Sequence, residues 1–361
     1  MHVAFIGTRG VPASYSGFET CVEQVGWRMV DAGHQVTVFC RTTHFADRRR
    51  EYRGMALRYL PAIRQKHLET LSHTALSALR LPPGSATICM GVGNAPVVRL
   101  LEASGRRTVF NVDGADWERD KWGRVATWYL QTCESIAARS RSILVADAEA
   151  VARYYQMEHD RSTEFVPYGA DPPADRGVDR LASFGLKPGC YLLWVGRLVP
   201  ENAAHDYLAG VRQSGIDATA VVVGDSSYAD EYKAALHSAA PPNALLMGYQ
   251  FGTTYQQLSS HAGLFVLAAT VGGTHPVLVE QMAAGNAILA RETESNREVL
   301  GDTGLYWRTA EELADLIRVT WPDSARRQAL GAAALNRVRV RYSWDAVTKQ
   351  YLDLCERTLT R

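Results

Sequence analysis

Short apolar runs alternate with longer amphipathic stretches along the whole chain. Residues 2–6 form a compact apolar run closed by a Gly/Pro loop. Residues 19–32 then carry apolar positions at helical spacing until Gly33 stops them, and residues 35–40 are apolar again. A buried parallel strand reads as a continuous apolar segment and its crossover as an amphipathic helix, so this is a βαβ opening. The alternation continues through residues 87–90, 108–112 and 142–146, which predicts a parallel sheet covered by helices. A turn-rich stretch at residues 167–175, containing Pro167, Pro172 and Pro173, separates this set from a second one. The second set has strands predicted at residues 190–195, 218–223, 244–247, 263–267 and 287–290, and an amphipathic stretch at 343–358 ends the chain.

At 361 residues the chain is too long for one ordinary core and suits two domains. The predicted division is an N-terminal domain at 1–168, a C-terminal domain at 169–342 and a final helix at 343–361. Lys plus Arg number 39 against 38 Asp plus Glu, a formal charge of +1, so no global field favours nucleic acid and any basic site is local. One local cluster comprises Arg48, Arg49, Arg50, Arg53, Arg58, Arg64, Lys66 and His67. Its default reading is a solvated face; the alternative is contact with a lipid diphosphate or an anionic membrane surface. The six cysteines are dispersed without a CxxC pair and read as reduced core residues, which points to the cytoplasm. The chain opens on a strand without a basic and apolar leader, and no run reaches about 18 apolar residues, so a soluble protein is expected. His34, His205 and His275 are scattered and there is no Asp-x-Asp pair, so neither a metal nor another cofactor is expected.

The chemistry concentrates at residues 272–285. An apolar run at 262–269 leads into Gly272-Gly273-Thr274-His275-Pro276, then into a helical pattern carrying Glu280. The paired glycines let backbone approach a ligand, and the free N–H groups and positive end of the helix favour a phosphate. Glu280 sits further along, where a carboxylate suits sugar hydroxyls. Phosphate and sugar together indicate a nucleotide. Three other segments fit this picture. The loop at residues 7–17 follows the first strand, where open α/β sheets place ligands, but its Gly7-x-x-Gly10 spacing lacks the three-glycine dinucleotide fingerprint. Arg197 follows the first strand of the second set, and a guanidinium donates to a diphosphate in a planar fork. Asp113 ends the strand at 108–112, either turning the chain or presenting its carboxylate at the carboxyl edge of the first sheet. Tyr249 follows the strand at 244–247, where packing against the protein is one reading, and Glu298 reads as a helix-capping residue.

Ile6-Gly7-Thr8-Arg9-Gly10-Val11-Pro12-Ala13 with Gly17-Phe18-Glu19-Thr20, Asn111-Val112-Asp113-Gly114 with Lys121-Trp122-Gly123, and Gly272-Gly273-Thr274 resemble the retaining glycosyltransferases of family four. Within that family the resemblance is strongest to the bacterial rhamnosyltransferase-like branch. It implies the α/β GT-B fold, two Rossmann-like domains facing a central cleft, with the helix at 343–361 crossing back to the N-terminal domain. It implies transfer of a hexosyl or 6-deoxyhexosyl group from a nucleoside-diphosphate sugar to a hydroxyl acceptor, without metal. The donor would be held by Gly17, Arg197, Tyr249, Gly272, Gly273, Thr274 and Glu280. Arg9, Ser16, Glu19, Trp117 and Lys121 would face the acceptor, with Asp113 as the catalytic group. The pattern departs from the family at three places: Gly272 replaces the first of two glutamates, Ser16 the first of a Gly-Gly pair, and Asn202 a lysine. Two rivals stay open: a sugar-nucleotide hydrolase or 2-epimerase sharing the fold, and a non-catalytic partner that binds nucleotide sugar or glycan, which the missing glutamate and Asn202 suggest.

Overall fold

The computed structural model describes residues 1–13, 17–65, 68–112, 124–226, 229–271 and 274–360, with backbone alone at 124–126. The chain divides into two compact units, one of Met1–Tyr168 with Trp344–Arg361 and one of Gly169–Ser343.

The strands of the first unit are β1 (His2–Ile6), β2 (Gln35–Arg41), β3 (Glu51–Tyr52), β4 (Met55–Leu60), β5 (Ala86–Met90), β6 (Thr108–Asn111), β7 (Ile143–Ala146) and β8 (Glu164–Phe165). They form one sheet in the order β3-β4-β2-β1-β5-β6-β7-β8, parallel except for the β3–β4 hairpin. Helices α1 (Gly17–Asp31), α2 (Glu69–Ala78), α3 (Ala95–Ala103), α4 (Arg124–Ala138) and α5 (Glu149–His159) link them. All five residues of β5 are buried, as a strand covered on both faces requires.

The second unit has β9 (Tyr191–Val195), β10 (Thr219–Val223), β11 (Ala244–Leu246), β12 (Leu264–Leu267), β13 (Ile288–Arg291) and β14 (Leu305–Trp307), all parallel, in the order β11-β10-β9-β12-β13-β14. Its helices are α6 (Asp179–Ser183), α7 (Ala204–Ser214), α8 (Asp230–Ala239), α9 (Gly252–Ser260), α10 (Pro276–Ala284), α11 (Glu294–Leu300), α12 (Ala310–Thr320) and α13 (Ser324–Arg341). The N-termini of α11, α12 and α13 are capped by the side chains of Thr293, Thr309 and Asp323, each accepting from a backbone N–H three residues on.

The chain then re-enters the first unit as α14 (Trp344–Leu359), which packs on α1. Trp344, Val347, Tyr351, Leu354 and Cys355 are buried at helical spacing, and Arg28 pairs with Asp345 at 2.9 Å. Inside the core the Asn111 side-chain amide donates to the Tyr351 hydroxyl at 2.9 Å, tying α14 to the carboxyl end of β6.

Periodicity missed β3, β4, β8 and β14. Each lies at or near a sheet edge, and β4 buries Met55 and Leu57 while exposing Ala56 and Arg58, so its apolar signal is halved. The basic cluster hid it further, because Arg53 turns the β3–β4 hairpin with φ +50° and Arg58 lies within β4. The cysteine reading holds for five of six: Cys21, Cys40, Cys89, Cys133 and Cys355 are buried, and Cys190 is exposed. No described helix is long and apolar enough to cross a membrane.

Tyr351→Phe keeps the ring and deletes the bond to Asn111, so it should lower the stability of the first unit by about 1 kcal/mol, measured by urea unfolding. An unchanged midpoint would reduce that bond to a bystander of apolar packing.

Candidate functional site

In the second unit β9 and β12 are neighbours, and from them the sheet grows outward in opposite directions, through β10 on one side and β13 on the other. Crossovers that leave in opposite directions open a crevice beyond the carboxyl ends of the two strands, the place where open α/β sheets bind ligands. A hollow of about 60 Å³ lies there, lined by Gly196 and Asn202 after β9 and by Ala269, His275 and Val277 after β12.

Arg197 directly follows Gly196 of the hollow's lining, and its loop is tightly built. Gly224 has φ +132°, and a Cβ on it would lie 1.8 Å from the Gly196 carbonyl oxygen, so two loops touch backbone to backbone. The Gly196 N–H donates to the Val223 carbonyl at 3.0 Å and the Leu198 N–H to the Asp225 carbonyl at 3.2 Å. Asn202, standing where the family resemblance leads one to expect lysine, donates its side-chain amide to the Arg197 carbonyl at 2.9 Å. Its amide thus holds the arginine loop in place of adding a second cation. Arg197 is half-buried, and its guanidinium has no ion-pair or hydrogen-bond partner among the described residues. From the other edge, the N–H and hydroxyl of Thr270 donate to the Glu201 carbonyl at 2.9 and 3.0 Å, locking the two loops together.

Helix α10 starts at this crevice. His275 is its N-cap residue, Pro276 occupies the first helical position, where a missing N–H costs nothing, and Thr274 just before is buried. Glu280, five residues into the helix, is half-buried, and the Tyr255 hydroxyl on α9 donates to its Oε2. Burial pushes the Glu280 carboxyl above the usual carboxylate range, and the Tyr255 bond opposes that shift. Tyr255 was missed in sequence, since one tyrosine in a polar helix carries no motif. Gly272 and Gly273 lie outside the described residues.

After β11, Gly248 takes φ +64° and Tyr249 follows, half exposed, its ring nearly parallel to that of Phe251 at 5.9 Å between centroids. Phe251 also escaped the sequence reading, although an aromatic two residues from Tyr249 was a usable signal. Glu298 does not cap: it is the fifth residue of α11, and Thr293 performs that role, accepting from the Asn296 N–H.

In the first unit the β1–α1 loop owes its glycines to packing. A Cβ on Gly7 would approach the Met90 carbonyl oxygen to 2.4 Å, and one on Gly10 would meet the Cys40 sulfur at 2.5 Å, both at positive φ. Gly17 begins α1, and Glu19, buried in its first turn, accepts from the Arg9 N–H at 2.9 Å, so two acceptor-side candidates meet. The basic cluster is partly neutralised: Arg49 pairs with Asp47 at 2.6 Å and Arg53 with Glu23 at 3.6 Å. Ser16, Asp113, Trp117 and Lys121 lie outside the described residues, as do Lys66 and His67.

Gly224→Ala should cost about 3 kcal/mol or more, because the new methyl group meets backbone in a conformation L-residues avoid. Urea unfolding measures it, and a loss under 1 kcal/mol would mean the Gly196 and Gly224 loops can separate.

The family of glycosyl transferases group 1 matches residues 189–322, and a domain of unknown function, DUF1972, matches residues 89–171. No curated protein matches the sequence. Among solved structures, sucrose-phosphate synthase from Thermosynechococcus elongatus shares 18% identity with a TM-score of 0.85, covering 99% of this chain and 98% of its own. Anabaena HepE in complex with UDP-glucose shares 16% identity with a TM-score of 0.77, over 98% of each chain. WaaG, a glycosyltransferase involved in lipopolysaccharide biosynthesis, shares 14% identity with a TM-score of 0.76, covering 98% of this chain and 99% of its own. At such identities the likeness is one of fold. The chain therefore has the GT-B fold of these proteins, and the stretch that matches the glycosyl transferases group 1 model includes Arg197, Thr274 and Glu280.

Proposed function

We propose that the protein is a glycosyltransferase that takes a glycosyl group from a nucleoside-diphosphate sugar and passes it to a hydroxyl acceptor. The observation that carries this reading is the crevice at the β9/β12 switch, where Gly196 and Asn202, on either side of Arg197 in sequence, and the N-cap of α10 border one hollow. A diphosphate is the ligand that an arginine and a helix N-terminus neutralise, since the guanidinium supplies a fixed charge and the helix end supplies oriented dipoles. Glu280 then accepts from ribose hydroxyls, and the Tyr249–Phe251 pair offers an exposed aromatic face to the base. The group 1 domain match and the likeness to HepE, which is known in complex with UDP-glucose, support a nucleotide sugar as donor.

Finer features rest on the family resemblance. Retention of anomeric configuration follows from it, with the leaving phosphate helping to deprotonate the acceptor hydroxyl. Asp113 is assigned to stabilise positive charge at the reacting sugar. A rhamnosyl donor is the branch's implication, and a thermal-shift panel of UDP, GDP and dTDP sugars assigns the base, a ligand at about 100 times its Kd giving roughly 2.7 kcal/mol.

Arg197→Ala should weaken UDP and the sugar nucleotide alike by about ten- to a hundredfold, the loss of a charge-assisted bond, and leave uridine unaffected. Titration calorimetry separates the two; equal losses for uridine and UDP would assign Arg197 to the base or the fold.

Asp113→Asn should lower kcat by about tenfold or more with donor Kd nearly unchanged, because charge that develops only in the transition state is felt in turnover. Steady-state kinetics with a working acceptor decides it, and near-native turnover would leave Asp113 a turn residue.

A further inference from the structure

The carboxylate of Glu280 ends a chain of buried amides and hydroxyls whose direction is set by the backbone. The chain begins at the Ser259 carbonyl, which can only accept, so the Asn286 group facing it at 2.8 Å is the NH₂. The same NH₂ lies 2.6 Å from the Gln281 side chain, which must present its carbonyl oxygen there. The Gln281 NH₂ is thereby turned the other way, toward the Ser259 hydroxyl at 2.8 Å and the Tyr255 oxygen at 3.4 Å. With its oxygen facing a donor, Tyr255 directs its own proton to Oε2 of Glu280. Ser259, Gln281 and Asn286 are all buried, so water does not compete for these bonds.

We propose that Tyr255 is a positioning residue for nucleotide binding: its hydroxyl, oriented through Gln281 and Asn286, occupies one oxygen of Glu280 and presents the other, ionised, to a ribose hydroxyl. The inference rests on the reading of Glu280 as the ribose contact. Its physical basis is that a carboxylate on an otherwise apolar helix (Pro-Val-Leu-Val before it, Met-Ala-Ala after Gln281) is short of water and tends toward its neutral form. A neutral carboxyl has one acceptor oxygen fewer and a weaker one. A fixed donor on Oε2 stabilises the charge and leaves Oε1 without a partner among the described residues.

The pH consequence has a definite sign. From α9 the titratable group facing Glu280 is Tyr255, and no charged group on α10, α11 or α13 among the described residues perturbs it. Glu280 titrates above its ordinary 4.5 because of burial, so affinity for a sugar nucleotide is full above that raised value and is lost as pH falls through it. Deleting the Tyr255 hydroxyl removes the opposing contribution, and the loss must then begin at higher pH.

The test measures Kd for UDP-glucose, GDP-glucose and dTDP-glucose by titration calorimetry across acid pH, since their diphosphate diesters do not titrate there. The tightest ligand is carried to Tyr255→Phe and Glu280→Gln. Tyr255→Phe should weaken binding about tenfold near neutral pH, the effect of one hydrogen bond to a charged group, and move the acid midpoint upward. Glu280→Gln should weaken binding and abolish that midpoint. Absence of binding by all three nucleotides, or a Glu280→Gln variant that binds as wild type, overturns the ribose reading and this inference with it. Weakened Glu280→Gln beside an unchanged Tyr255→Phe overturns the positioning role alone. Should Tyr255→Phe fail to fold, Gln281→Met, which removes the donor that orients the Tyr255 hydroxyl, carries the test, and an affinity and acid midpoint unchanged from wild type overturn the positioning role.

Discussion

Everything at the candidate site depends on a restriction of parallel sheets: each strand must be followed by a crossover, so every chemically equipped loop of the second unit emerges at one edge. Between β9 and β12 the crossovers diverge, and the sheet leaves its own carboxyl edge uncovered. Filling that gap with a methyl group is nearly impossible on the β10 side, where Gly224 sits against the Gly196 carbonyl. The result is a crevice whose rim is rigid backbone, with Arg197 held on one side by Asn202 and α10 starting on the other. Asn202 shows how a departure from a family pattern can be structural: it holds the carbonyl of the very residue that a lysine there would assist.

The second constraint is electrostatic. Helix α10 buries Leu278, Val279, Met282 and Ala283 against the core, and that apolar contact fixes the helix at the crevice. The same packing places Glu280 where charge is costly. Hydrogen bonding from Tyr255 offsets the cost, and the buried amides behind it give that bond a direction. The first unit uses a related device at Arg41, buried at the end of β2, whose charge is met by Glu69 at 3.4 Å and whose guanidinium donates to Thr70 at 2.9 Å.

The α/β class was legible because buried parallel strands are apolar runs and their helices have a 3.6 period; β1, β5, β9 and β12 announce themselves in that way. Edge strands did not, since β4 is covered on one face only and β8 and β14 are two and three residues long. The entry to α10 was also legible, as a loop leading into a helical pattern that carries Glu280, and the helix begins at Pro276. Glu298 was misread because capping depends on which residue is first in the helix, and that boundary is decided by Thr293.

A family resemblance pointed to the GT-B class; by itself the sequence determined the alternation of buried strands and helices and the residue types, Arg197 and Glu280 among them, that suit a nucleotide. These follow from periodicity and side-chain chemistry, which act over a few residues. Only the tertiary structure decided that Gly7 and Gly10 exist for strand packing, that Asn202 serves the Arg197 loop, and that Tyr255, Gln281, Ser259 and Asn286 stand in line behind Glu280. Tyr255 and Glu280 are 25 positions apart on different helices. Their meeting is fixed by how α9 and α10 pack on one sheet, and packing of that range leaves no signal in local spacing.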